Sequence, residues 1–147
     1  MKPDKYDVLK LDNQLCFPLY AAAKEVTRRY QPLLDPLDLT YTQYITMMVM
    51  WEQKTLTVKK LGERLFLDSG TLTPVLKKLE QKGFIVRRRD SSDERQLEVS
   101  VTDEGLALRD RALSVPQRMA CSVTITREEA ETLCRILAKM FGKAEES

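Results

Sequence analysis

Apolar residues in this chain recur mostly at intervals of three and four, the spacing of one helix face, and alternate cleanly only once. In the segment 12–34, Leu15, Leu19, Ala22, Val26 and Tyr30 share a face and predict a long first helix that ends before Pro32. Pro18 leaves its start open: either Asp12 caps the helix and Pro18 distorts the second turn, or Pro18 is the first helical residue and Cys16 lies just outside. Pro32, Asp35 and Pro36 make a connection, after which Thr40 caps a second helix through Trp51. The run over 45–51 must be buried on most sides, with Met47, Met48 and Met50 read as core beside Trp51.

A short helix follows Thr57, with Val58, Leu61 and Leu65 inward. Asp68 is a strong N-cap for a helix from Ser69 to about Lys82, stopped by Gly83 at the C′ position. Two short helices joined by so few residues predict a helix-turn-helix, whose second helix enters a major groove. Residues 84–89 are β-rich, 90–94 form a polar turn, and Leu97, Val99 and Val101 alternate on one face. This predicts a β-hairpin wing tipped by Asp93 and Arg95. Thr102 opens a helix to about Val115, Pro116 marks a break or kink, and Thr126 caps a last helix to Gly142. The stripe of that helix is Ala130, Leu133, Cys134, Leu137, Met140 and Phe141, so Cys134 is read as a core thiol.

The fold class is therefore mainly α with a small β-hairpin wing. A length of 147 residues, 43% apolar, predicts a single domain over 1–147 with a DNA-binding lobe at 57–102. The net charge of +2 divides unevenly: residues 1–57 are neutral, 58–95 carry +4 and 96–147 carry −2. A basic centre on an otherwise neutral chain fits a polyanion partner.

The chain has no histidine, which removes Ser-His-Asp and Cys-His nucleophile pairs and the common metal sites, so neither a catalytic nor a metal site is expected. No glycine pattern of a phosphate-cradling loop is present, and no cofactor is expected. The N-terminal residues do not read as a secretory signal and no apolar run approaches membrane-span length, so a cytoplasmic protein without membrane contact is expected. Three cysteines without C-x-x-C spacing are then buried hydrophobes or reactive thiols.

Three stretches together resemble the MarR family of winged-helix transcription regulators: VKKLGERL at 58–65, SGTLTPVLKKLEQKGFI at 69–85, and DERQLEVSVT at 93–102. The last matches the D-x-R…L-T wing pattern, with Val101 in the leucine place. LDNQLCF at 11–17, Tyr30 and YTQY at 41–44 look like the organic-hydroperoxide-sensing branch, OhrR; Pro18 departs from the leucine of that pattern. The resemblance implies a homodimer built from helical regions 1–34 and 103–147. It further implies that Cys16 is the peroxidatic thiol, that Tyr30 and Tyr41 of the partner subunit hydrogen-bond to it, and that Cys121 resolves it in the two-cysteine type.

Such a sensor needs an accessible thiolate, and phenol hydroxyls serve it without histidine or metal. Leu15, Phe17 and Leu19 around Cys16 favour an apolar alkyl hydroperoxide over hydrogen peroxide. On the DNA side, Ser69, Gly70, Thr71, Thr73 and Pro74 face the groove, and Lys77 and Lys78 reach phosphates. Arg95, held by Asp93, suits a narrow A·T-rich minor groove. The expected partner is double-stranded DNA bearing an inverted repeat, with an organic hydroperoxide as the signal. The competing readings are a MarR-type repressor released by a small aromatic ligand, in a different class a thiol peroxidase, and a winged helix used only for protein contacts.

Overall fold

Thr40, Thr57, Asp68, Thr102 and Thr126 each accept a hydrogen bond from the backbone N–H three residues on, and each starts a helix where the sequence places it. In the computed structural model, which describes residues 2–89 and 96–142, the elements run α1 (Cys16–Leu34), α2 (Tyr41–Gln53), β1 (Thr55–Thr57), α3 (Val58–Leu65) and α4 (Ser69–Gln81). They continue with β2 (Ile85–Arg89), β3 (Leu97–Val101), α5 (Asp103–Ala112), α6 (Val115–Ser122) and α7 (Arg127–Met140). Among the described residues no helix is long and apolar enough to cross a membrane.

The wing strands pair antiparallel from Ile85 opposite Val101 to Arg89 opposite Leu97. β1, which the hydrophobic pattern does not reveal, adds a third strand on the other side of β3, with Thr55 opposite Ser100. Their hydroxyl oxygens lie 2.9 Å apart. This strand roots the wing in the turn between α2 and α3. Mainly α with a small antiparallel sheet is thus the architecture, in winged helix-turn-helix order.

Leu34 of α1, Met47 and Met50 of α2, Leu61 of α3, Leu72, Leu76 and Leu79 of α4, Ile85 of β2 and Val99 of β3 are at most 1% exposed. Each such side chain stabilises the fold by about 1.5–3 kcal/mol relative to exposure. One core therefore welds α2, α3, α4 and the sheet into a unit that presents α4. Met48, read as core, is exposed on the far side of α2.

The chain departs from the sequence reading at its prolines. α1 runs through Pro32 to Leu34, because a proline two residues from a helix end forfeits one backbone bond without deflecting a helix that stops there anyway. Pro18 follows neither expected course. The helix starts at Cys16, and Pro18 is its third residue, where an N–H would have no intrahelical acceptor. Pro116 likewise sits in the first turn of α6, so α5 stops at Ala112 and a separate helix, rather than a mere kink, follows. The last helix closes at Met140, two residues short of Gly142.

Candidate functional site

The recognition element is built from its cap outward. Asp68 Oδ1 accepts from Thr71 N–H at 2.7 Å, and the Thr71 backbone and side-chain hydrogen bonds hold the Asp68 carboxyl below the usual carboxylate range. Leu72, Leu76 and Leu79 turn inward, leaving Ser69, Gly70, Thr71, Pro74, Lys77 and Lys78 exposed. Thr73, also expected in the groove, is only half-exposed, and its hydroxyl donates to Ser69 O at 2.7 Å. It thereby serves the backbone just ahead of Pro74, whose missing N–H opens the ladder there. The helix survives the proline and keeps its small, polar N-terminal surface.

Gly83, at φ 83, ends this unit in the left-handed conformation and turns the chain into β2. Glu80 then accepts from both the backbone and the guanidinium of Arg87, at 3.0 and 3.1 Å, which ties β2 to α4. Asp93 and Arg95, the expected wing-tip pair, lie outside the described residues. At the other end of the reading unit, Phe66 closes α3 in the left-handed region at φ 57. Its ring stacks on Phe141, just past α7, with centroids 4.8 Å apart. A cleft of about 730 Å³ lined by Val58, Phe66, Leu67, Ser69 and Leu97 opens beside it.

The sensing candidates lie on the helical side. Tyr30 and Tyr41 meet with ring centroids 4.9 Å apart, and Tyr44, which the sequence reading did not single out, completes the cluster at 5.7 and 6.5 Å. Its spacing three residues after Tyr41 on α2 is the signal that would have found it. Burial pushes all three hydroxyls up from the ordinary phenol range, with the neighbouring rings adding to this at Tyr30 and Tyr44. They remain hydrogen-bond donors throughout neutral and mildly alkaline pH. The unfolded chain loses these protons near pH 10, below the folded values, so stability present below pH 10 is expected to fall as pH rises above it. Phenolate absorbance during an alkaline titration should lag behind that of the urea-unfolded chain, and coincident curves would contradict the burial effect.

Cys16 does not join the tyrosines within one chain. It is exposed in the first turn of α1, fourteen residues ahead of Tyr30, about 21 Å along the axis at the ordinary helical rise. No phenol spans that gap, and by its ring contact Tyr41 is excluded with Tyr30. Cys121 lies exposed in the last turn of α6, which Arg29 of α1 holds by a 2.7 Å bond from Nη1 to Ser122 O. Cys134 is exposed, contrary to its reading as a core thiol, because α7 contributes no buried residue in the single chain. Leu133, Ile136, Met140 and Phe141 of this region, and Leu15, Phe17 and Tyr20 at the start of α1, are exposed as well. Apolar faces at both ends of the chain are left open.

Residues 28–111 match the family model described as transcriptional regulator SarA/Rot. The chain is 45% identical over 138 residues to the organic hydroperoxide resistance transcriptional regulator of Bacillus subtilis, covering 94% of this chain and 92% of that one. The structure of reduced AbfR of Staphylococcus epidermidis bound to DNA superposes with a TM-score of 0.78 at 31% identity, covering 95% and 97% of the two chains. A cysteine-to-serine mutant of Escherichia coli MarR in complex with operator DNA gives a TM-score of 0.80 at 26% identity, covering 94% and 99%.

Proposed function

Because this chain belongs to the MarR family of winged-helix transcription regulators, with the organic-hydroperoxide-resistance regulators among its relatives, we propose that it is a dimeric DNA-binding repressor that releases its operator when an organic hydroperoxide oxidises Cys16. The observation that carries the reading is the separation of Cys16 from the tyrosine pair in one chain combined with the open apolar faces of α1 and α7. A second copy packed through regions 1–34 and 103–147 covers those faces. It also brings Tyr30 and Tyr41 of the partner subunit to the thiol.

The Cys16 thiolate attacks the terminal oxygen of the hydroperoxide, the O–O bond breaks, an alcohol leaves, and the sulfur becomes a sulfenate, oxidised by two electrons. The neutral phenols of the partner's Tyr30 and Tyr41 donate hydrogen bonds to the sulfur anion. Exposed Leu15 and Phe17 beside Cys16 suit an alkyl substituent. Cys121 of the other subunit then condenses with the sulfenate, and the strain reaches the reading unit through α5, whose Gly105 carbonyl accepts from the Trp51 indole of α2 at 2.8 Å.

In the reduced dimer, Ser69, Gly70, Thr71 and Pro74 enter the major groove, Thr73 orders the helix behind them and Lys77 meets phosphate. Arg95, with Asp93 two residues before it, is assigned to the flanking minor groove on the wing motif of the sequence alone. Two such heads related by a twofold axis read an inverted repeat.

The test is a DNA-binding titration of the reduced protein on inverted-repeat DNA before and after one equivalent of cumene hydroperoxide. Loss of binding that a dithiol restores is expected. Unchanged binding, or release by a small aromatic compound with the thiols intact, would overturn the sensing assignment, and sustained peroxide turnover with a reductant would point to an enzyme.

A further inference from the structure

We infer that Arg29 is a positioning residue for the Cys121 thiol: it fixes the last turn of α6 where that thiol must meet oxidised Cys16 of the partner subunit. The inference rests on the sensing reading above and adds to it a residue whose only link to the chemistry is geometric. α6 spans just eight residues, Val115–Ser122; Ala120 O takes the Val123 N–H, and the carbonyl of its last residue, Ser122, lies beyond the reach of the helix's own N–H groups. Arg29 Nη1 donates to that carbonyl, Ser122 O, at 2.7 Å, across 93 residues of sequence. Its positive charge also opposes the negative end of the helix.

The guanidinium is itself held. Arg29 Nε donates to Glu25 Oε1 at 3.0 Å, and Glu25 also takes two bonds from Arg28, at 2.9 and 2.6 Å. These cations keep Glu25 ionised down to about pH 2, Arg28 contributing most. From the other side, Ser122 Oγ donates to Met119 O at 2.7 Å, after which the backbone turns extended at Val123. Cys121 thus sits on a helical turn gripped on one side by α1 and on the other by its own serine, while its side chain stays exposed.

Condensation demands such placement. The Cys121 thiolate attacks the sulfenic sulfur of Cys16 of the partner subunit, the S–S bond forms, the S–O bond breaks, and the oxygen departs as water after taking a proton. The hydroperoxide has already supplied the oxidising equivalents. A disulfide tolerates Cα separations of only about 4.4–6.8 Å, so a frayed last turn misses the target.

The experiment treats full-length protein with one equivalent of cumene hydroperoxide and follows two products: sulfenic acid trapped by dimedone, and disulfide-linked dimer on non-reducing gels. Arg29→Met should form sulfenic acid at the wild-type rate but disulfide about tenfold more slowly, with the trapped species accumulating in between. Arg29→Lys should recover most of the rate, and Glu25→Gln should fall between. A disulfide rate for Arg29→Met within about twofold of wild type, or no gain from lysine over methionine, would overturn the role of Arg29. Cys121→Ser separates the two ideas: if it still forms the linked dimer, the resolving assignment itself fails and Arg29 with it.

Discussion

A Cys16→Ser variant is expected to bind its operator as tightly as the wild type and to stay bound when organic hydroperoxide is added. The exchange replaces sulfur by oxygen at an exposed position in the first turn of α1, so packing and folding should be untouched. What disappears is the nucleophile, because a serine hydroxyl remains protonated where a thiol gives thiolate. In the wild type, coupling between the thiol and the DNA face of the usual size, about 1–3 kcal/mol, corresponds to a roughly 5- to 150-fold loss of affinity on oxidation. That entire response should vanish in the variant. Equilibrium titration by fluorescence anisotropy, with and without hydroperoxide, measures it, and a variant that releases DNA as the wild type does would mean that the signal enters elsewhere.

The second large effect concerns stability. A Cβ on Gly105 would lie 2.2 Å from the carbonyl oxygen of Phe84 and 2.8 Å from a methyl of Val101. The first neighbour is backbone at the foot of β2, and that carbonyl already accepts from Thr102 N–H at 3.0 Å, so it has nowhere to go. Gly105 also belongs to the first turn of α5, whose cap is Thr102. Alanine there must push α5 off the sheet, at a cost of about 3 kcal/mol or more, at the upper end of overpacking effects. Urea denaturation should show the midpoint falling accordingly, and a midpoint within error of wild type would show that α5 has slack that the close contact does not suggest.

Much of this architecture was legible because its signals are local. A threonine or aspartate three residues ahead of the N–H it caps works in any context, so Thr40, Thr57, Asp68, Thr102 and Thr126 could be placed from sequence. β1 could not, since three residues become a strand only by having β3 beside them. The break or kink expected at Pro116 is a break, but the helix Val115–Ser122 was hidden, because Pro116 is its second residue, where proline fits a first turn.

The thiols show a different limit. Periodicity correctly groups Leu133, Cys134 and Leu137 on one face of α7 but does not say what covers that face, and among the described residues none of α7 is fully buried in the single chain. The roles of Cys16, Tyr30 and Tyr41 came from resemblance rather than from spacing. The fold adds that Tyr30 and Tyr41 touch, that Tyr44 joins them, and that Cys16 is out of their reach in the same chain.

Trp51 has one further consequence. It is the only tryptophan in the chain, and it stands at the junction of the reading unit with α5, its indole N–H on the Gly105 carbonyl and its ring edge-on to Tyr44 at 6.4 Å. Nearly all long-wavelength emission from this protein therefore originates at the joint between α2 and α5, and Tyr44 is close enough to pass its excitation on. The intrinsic fluorescence of the unlabelled chain is a gauge of that joint, sensitive to the indole hydrogen bond.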